Sequence, residues 1–255
     1  MVQNLKRATE TDLPFAEPEK TLVIAATPRS GSNRMCDVLY HLGLGLPAEY
    51  LNREFIHLVT GKWAEEADAP RIETLKGYLD MLIPRRTRGG VFAVKLFYEH
   101  LQALTRNNIE LKEPHYLFLR RRNKTAQLVS YLTLLQTRAP YDSDVVIEQL
   151  PMSDAVTDKH ILTYAKYLAH SEHRWQRFLR GKPHIEIYME DFYTAPEVTL
   201  RAVSDMLGVD PKEQMAEALD YLAESSAYSA HRDVKDQIRR DHADVLGQVS
   251  ALYDG

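Results

Sequence analysis

Residues Thr27-Pro28-Arg29-Ser30-Gly31-Ser32-Asn33 gather groups that suit an anion. Gly31 lets the backbone turn sharply and approach a ligand closely. Arg29 offers a charged, planar fork, and Ser30 and Ser32 add hydroxyl donors. The turn sits between an apolar run, Thr21–Thr27, and a segment of helical spacing, Asn33–Leu42. The free N–H groups and dipole of a helix start would therefore face the same anion. This is the chemistry of a phosphate cradle. The G-x-x-x-x-G-K-[ST] pattern and its lysine are absent, so magnesium–nucleotide chemistry loses its best support.

A second cationic group lies in LFLRRRNKTAQLVSYL, Leu117–Leu132, where Ser130 follows Arg121 by nine residues and Arg122 by eight. Lys95 stands near the end of another apolar run, VFAVKLF. It either stabilises charge at that rim or merely snorkels out of the sheet end. Arg232, Lys235, Arg239 and Arg240 open the tail and read as a solvated helix face. His170 and His173 share a helix face and could bind zinc, but surface histidines on a charged helix are far commoner, so no metal is expected.

These groups need elements to hold them. Thr21–Thr27, Val91–Phe97, His115–Arg120 and His184–Tyr188 are short, apolar and β-branched or aromatic, the pattern of strands buried on both faces. Between them lie helical spacings at Asn33–Leu42, Ile72–Ile83 and Lys124–Leu135. Residues 138–153 read as a loop, with Asp154 capping a long helix toward Arg180. Pro196–Leu207 has proline in its first turn and Gly208 as its stop. Asp233–Tyr253 reads as one or more polar helices. Strands separated by helices imply parallel pairing with helices on both faces. The expectation is an α/β protein: residues 1–20 form a polar, partly loose arm, and residues 21–255 one domain with helical insertions.

The chain of 255 residues can bury a substantial core. Its 44% hydrophobic and 27% charged residues are ordinary for a soluble globular protein. A net charge of −4 argues against a dedicated nucleic-acid binder. Cys36 is the only cysteine, which excludes an internal disulfide and a polythiolate zinc site and favours a reducing compartment. No apolar run approaches the ~18 residues of a membrane span. The N-terminus lacks the apolar core of a secretory signal. The expected location is the cytoplasm.

Three motifs in order then carry a resemblance. LVIAATPRSGSNRM, Leu22–Met35, is similar to the 5′-phosphosulfate loop of sulfotransferases: a strand, P-[KR]-[ST]-G-[ST], then a helix. The arginine–serine pair within Leu117–Leu132 resembles their 3′-phosphate motif. Tyr188, Glu190 and Asp191, followed by Leu207-Gly208, resemble the Y-x-E-D hallmark. The R-S-G-S loop, Glu49-Tyr50, Gly90-Val91 with Lys95, and Gln127 and Ser130 before Gln136-Thr137 resemble the bacterial trehalose 2-sulfotransferase type. The resemblance implies a P-loop-NTPase-like fold with a central parallel sheet flanked by helices. The donor it implies is 3′-phosphoadenosine-5′-phosphosulfate (PAPS), the product adenosine 3′,5′-bisphosphate (PAP), and no metal.

Carried over, Arg29, Ser30, Gly31, Ser32 and Asn33 bind the donor's 5′ end, and Arg29 also stabilises leaving-group charge. Ser130 with Arg121, or with Arg122 in the register of the eukaryotic enzymes, binds the 3′-phosphate. Glu49 matches the catalytic base, acting if partial burial raises its pKa; His57 is a rival on chemistry and nearness in sequence. Leu46-Pro47-Ala48 departs from the acidic residue and Pro-Gln of that subgroup. The acceptor would be a small molecule or glycan hydroxyl, held by residues 46–88 and 132–165, where Tyr50, Phe55, Trp63 and Tyr131 could stack on a sugar. The relatives dimerise, which suggests a homodimer. The alternatives are a nucleotide kinase of related fold, or an inactive relative that binds nucleotide or glycan.

Overall fold

The computed structural model describes residues 3–65, 72–137, 156–224 and 231–253. In chain order its elements are α1 (Gln3–Glu10), β1 (Lys20–Ala26), α2 (Ser32–His41), α3 (Arg53–Ala64), α4 (Leu75–Arg86), β2 (Thr87–Arg88) and β3 (Val91–Leu96). There follow α5 (Tyr98–Arg106), β4 (Pro114–Arg120), α6 (Lys124–Thr137), α7 (Asp158–Leu179), β5 (His184–Tyr188) and α8 (Met189–Thr194). The last are α9 (Pro196–Leu207), α10 (Lys212–Glu224), α11 (Arg232–Asp241), α12 (Ala243–Leu246) and a 3-10 turn at Ser250–Tyr253.

The sheet order is β2-β3-β1-β4-β5. β1 pairs in parallel with β3 and β4, and β4 in parallel with β5. The two residues of β2 run antiparallel to β3, so the wholly parallel sheet that the strand–helix alternation implied ends in a short antiparallel edge. The cause is local: Gly89 and Gly90 both take positive φ and reverse the chain into β3. α5 and α10 are helices that no spacing had singled out.

Side chains of β1 alternate between two buried layers. Leu22 and Ile24 join Met35, Val38 and Leu39 of α2 and Leu200, Val203 and Leu207 of α9. Val23 and Ala25 join Phe55, Trp63, Leu79 and Trp175 on the other face. Burying each larger aliphatic side chain contributes roughly 1.5–3 kcal/mol, which explains why continuous apolar runs became central strands. A third cluster ties α6 and α7 to Ile238 of α11 and Leu246 of α12. α7 is capped by Thr157, whose hydroxyl accepts from the His160 N–H; the expected loop at 138–153 and Asp154 lie outside the described residues. No described helix is long and apolar enough to cross a membrane.

The N-terminal arm is docked rather than loose. Arg7 pairs with Asp37 at 3.3 Å and lies over the Tyr40 ring, and Ala8 is buried. Asp12 accepts from Lys62 at 2.8 Å, from the Trp63 indole and from Arg86, whose side chain is fully buried. Burial pushes the Asp12 carboxyl up, but Lys62 and Arg86 prevail and hold it below the ordinary carboxylate range.

Asp12→Ala should be markedly destabilising, because it strands the Arg86 guanidinium in the interior. Removing one partner of a buried pair costs about 3–5 kcal/mol, and Asp12 is itself a quarter exposed (26%), which places the loss at the lower end. Lys62→Ala, which removes only the more exposed partner, should cost under about 1 kcal/mol. Urea unfolding of the two variants checks the contrast.

Candidate active site

β1 is the point where the sheet changes direction. The chain leaves it for β3 on one side and then returns to β4 on the other. Such a switch opens a crevice at the carboxyl ends of the strands. The turn after Ala26, the end of β3 at Lys95–Leu96 and the end of β4 at Arg120 all meet there.

The turn after β1 is held in an uncommon shape. Arg29 has φ 62° and Gly31 φ 96°, both left-handed. A Cβ on Gly31 would lie 2.7 Å from Cγ of Met189, so α8 closes the space beneath the turn. Fully buried Gln127 donates through Nε2 to the Thr27 hydroxyl at 2.9 Å and to the Pro28 carbonyl at 2.8 Å. The Trp175 indole donates to the Ala26 carbonyl at 3.0 Å. A positive φ at arginine persists only where surroundings over-determine it, and these three contacts do so. No side chain caps the start of α2, and among the described residues the buried Ser30 hydroxyl has no hydrogen-bond partner. An orphaned buried hydroxyl beside an uncapped helix start leaves donors for an anion.

Arg29, Arg121 and Ser130 converge on this turn. Arg29 donates through Nε to Ser130 Oγ at 3.0 Å, and Arg121 donates through Nη1 to the Arg29 carbonyl at 3.3 Å. Arg122 points elsewhere. Its two Nη atoms fork onto the Asp191 carboxylate at 2.5 and 2.8 Å, and its guanidinium lies over the Tyr188 ring. Glu190 accepts the backbone N–H groups of Arg122 at 3.0 Å and Asn123 at 3.2 Å, which fixes the step from β4 into α6. The Tyr188, Glu190, Asp191 motif thus orders the arginine run. Arg120 turns to Glu172 and Glu186.

One residue of the tail joins the same cluster. Burial, Arg29, Arg239 and Arg121, in that order, hold the Lys235 ammonium below its ordinary range. The reading of this stretch as a solvated face therefore holds for exposed Arg232, Arg239 and Arg240 but not for half-buried Lys235. Its signal in sequence is Ile238, which buries one face of α11 against α6 and α7 and so turns the adjoining face toward the crevice.

On the other side of the turn, Ala48 forms a parallel bridge with Val94 and its carbonyl accepts from the Lys95 N–H at 2.9 Å. Glu49 is thereby set against the end of β3. Its Oε2 lies 2.6 Å from Lys95 Nζ, which also donates to Asn33 Oδ1 at 2.6 Å. Its Oε1 accepts from Asn52 Nδ2 at 3.0 Å, while Asn52 Oδ1 caps α3 through the Glu54 N–H. Both Glu49 and Lys95 are buried, so Lys95 does not snorkel. Burial raises the Glu49 pKa, yet Lys95, His100 and Asn52 together hold it below the ordinary range. The raised pKa expected of this carboxylate is thus overturned: it is ionised at neutral pH. His100, three residues past Phe97, accepts the Phe97 N–H on Nδ1 at 3.1 Å, and burial depresses its pKa.

His57 is exposed on α3, apart from the buried Glu49–Lys95 pair. Tyr50, Phe55 and Trp63 belong to the core, and Tyr131 is half-buried. His170 is exposed, and His173 approaches the Tyr253 carbonyl at 3.4 Å. The Cys36 thiol is buried, and burial pushes its pKa up to about 12, which makes it inert as a nucleophile. Asn52, which no motif singled out, and Lys235, read from the sequence only as part of a solvated face, join these clusters.

Residues 21–241 match the Stf0 sulphotransferase family. No curated protein matches the chain. Among solved structures, sulfotransferase STF9 from Mycobacterium avium is similar at 13% identity and a TM-score of 0.50, over 97% of this chain and 80% of that one. Mouse sulfotransferase SULT7A1, solved complexed with PAP, gives 14% identity and a TM-score of 0.48, over 98% of this chain and 79% of that one. The fold is the P-loop-like sulfotransferase fold, a mostly parallel sheet flanked by helices. The chain belongs to the Stf0 sulphotransferase family and is an enzyme, a PAPS-dependent sulfotransferase.

Lys95→Met should reverse the sign of the Glu49 shift, because burial then acts without its main opponent. Carbon NMR of the carboxyl should show titration above the ordinary 4.5 in the variant and below it in the wild type. The same pairing sets a pH dependence. A depressed carboxylate stabilises the fold above its unfolded value of 4.5 and loses that stabilisation as pH falls through its lower folded value. The stability gap between wild type and Glu49→Gln should narrow over that acid window in urea unfolding.

Proposed function

We propose that the chain transfers a sulfuryl group from PAPS to a hydroxyl of a carbohydrate or glycolipid and releases PAP. The observation that supports this most is the convergence of Arg29, Arg121 and Ser130 on a left-handed turn whose buried Ser30 hydroxyl lacks a described partner. Donor groups without acceptors, set among cations, suit a ligand with phosphates at two ends. PAPS supplies the activated sulfuryl group. The chain's residues bind, orient and move one proton.

In this reading the N–H groups of residues 30–33 and the Arg29 guanidinium meet the charge that grows on the leaving phosphate oxygen. Arg121 and Ser130 hold the 3′-phosphate, with Lys235 beside them. Arg122 is engaged by Asp191, which favours the Arg121 register. Glu49 takes the acceptor's proton. Its depressed pKa keeps it ionised and ready, while Lys95 sits between it and Asn33 at the donor turn, placed for charge on both sides of the transfer. General-base action then draws on geometry and positioning more than on basicity. A homodimer is a finer part of the reading that rests on the trehalose-type resemblance, and a cytoplasmic location rests on the lone cysteine, Cys36.

Arg29→Ala should weaken PAP binding and nearly abolish transfer, and unchanged activity would sink the assignment. Arg121→Ala should erase the preference for PAP over adenosine 5′-phosphate by roughly 10- to 150-fold, the value of one charge-assisted contact. Arg122→Ala should keep that preference and cost little stability, since its partner Asp191 is exposed. Calorimetric titration of both nucleotides separates the registers. Glu49→Gln should lower turnover about 10²–10⁴-fold with PAP affinity near wild type. Normal turnover in Glu49→Gln together with loss in His57→Ala would move the base to His57.

A further inference from the structure

Glu172 on α7 is a buried carboxylate that stands outside all three sequence motifs. Arg120 donates to its Oε1 through Nε at 3.0 Å and through Nη2 at 2.6 Å. Lys124 donates to Oε1 at 2.8 Å and to Oε2 at 2.6 Å. Arg120 is the last residue of β4 and Lys124 the first of α6. One carboxylate therefore ties both ends of the loop 121–123, while Glu190 takes the loop's own N–H groups at Arg122 and Asn123. The loop needs such a hold because Arg121 does little to fix itself. Its hydrogen bond to the Arg29 carbonyl, at 3.3 Å, and its ion pair with Glu190, at 3.9 Å, are both long. Where its guanidinium lies follows from where the backbone between Arg120 and Lys124 lies.

The same helix holds the other phosphate loop. Trp175, one turn after Glu172, donates to the Ala26 carbonyl at 3.0 Å, where β1 passes into its turn. Lys124 in turn opens the helix whose Gln127 and Ser130 contact that turn. Neighbouring side chains of one helix thus grip the ends of β1 and β4. Stability alone does not call for this arrangement. Arg120 already pairs with exposed Glu186 at 2.7 Å, and apolar side chains in place of a buried ion pair are often neutral or stabilising. We propose that Glu172 is a positioning residue: by tying Arg120 and Lys124 to α7 beside Trp175, it sets the span between the turn after β1 and Arg121, and so selects a nucleotide phosphorylated on the 3′ rather than the 2′ oxygen. The inference rests on the reading of Arg121 as the 3′-phosphate ligand.

The test is calorimetric titration of the full chain with PAP, adenosine 2′,5′-bisphosphate and adenosine 5′-phosphate. The two bisphosphates carry the same charge and differ only in where the second phosphate sits. Wild type should prefer PAP to its isomer at least about tenfold, the value of one charge-assisted contact. Glu172→Asp keeps the carboxylate and shortens its reach by one methylene, and Glu172→Gln keeps the reach and removes the charge. Both should cut the isomer preference about tenfold, with adenosine 5′-phosphate affinity near wild type, since that ligand uses only the turn after β1. Glu172→Asp keeps a charge opposite both cations, so it carries the test should Glu172→Gln fail to fold. A variant that weakens both bisphosphates equally, or leaves their ratio unchanged, overturns the positioning role and leaves the donor reading intact. So does a wild type that binds PAP tightly without preferring it to the 2′,5′ isomer. Retention of the isomer preference in Arg121→Ala overturns the Arg121 reading and this inference with it. Wild type that binds PAP no better than adenosine 5′-phosphate overturns the donor reading as well.

Discussion

The ammonium of Lys95 holds the two halves of the crevice together. It is buried, and a buried charge is tolerated only when paired and hydrogen-bonded. Its partners come from two different segments: Glu49 from the loop before α3 and Asn33 from the first turn of α2. Satisfying one cation thus fixes the distance between the helix that follows the turn after β1 and the Glu49 carboxylate. Asn52 and the Ala48–Val94 bridge then set the carboxylate's angle. Pairing also settles its charge: burial alone would favour the neutral acid, and Lys95 reverses that.

The arginine run shows the same economy at the end of β4. Three consecutive guanidinium groups repel one another, and the fold separates them by giving each its own direction. Arg120 goes to Glu172 and Glu186, Arg121 to the turn, and Arg122 to Asp191 and the Tyr188 ring. Burial and hydrogen bonds to Glu186 and Glu172 oppose each other at Arg120, and the acids prevail, so its pKa lies above the ordinary range. Arg120 is a structural cation in the wall behind the site. The Y-x-E-D residues act by ordering this run and the helix that follows it.

Much of the frame was legible because burial on both faces leaves a plain trace. β1, β3 and β4 read as apolar runs, and α9 was bounded by Pro196 and by Gly208, whose φ of 63° is the left-handed stop its residue type implied. Two-residue β2 carries too few residues for any period to show, and α5 buries only Leu104 fully, which leaves no apolar stripe to count. The docked arm was illegible for a different reason. It is held by Arg7–Asp37 and Asp12–Arg86, pairs between residues far apart in the chain, and a polar segment looks the same whether its charges meet partners or water. The turn at Arg29–Asn33 could be named from type and spacing, and its partners Arg121 and Ser130 only from the resemblance. The choice between Arg121 and Arg122 could not, since it depends on where Asp191 lies. The Glu49 pKa failed similarly: burial could be anticipated, but the ammonium beside it could not.

The contribution of Lys235 has a consequence for the order in which the protein becomes competent during synthesis. Every strand among the described residues lies before residue 189, so the sheet and the turn after β1 can assemble as soon as β5 has left the ribosome. The cationic cluster at that turn gains its last member only with α11, more than forty residues later. Until then a nascent chain carries the crevice with a weaker positive field at the turn after β1. A chain stalled between α10 and α11 would thus be folded at its centre yet carry a weaker field at the turn after β1.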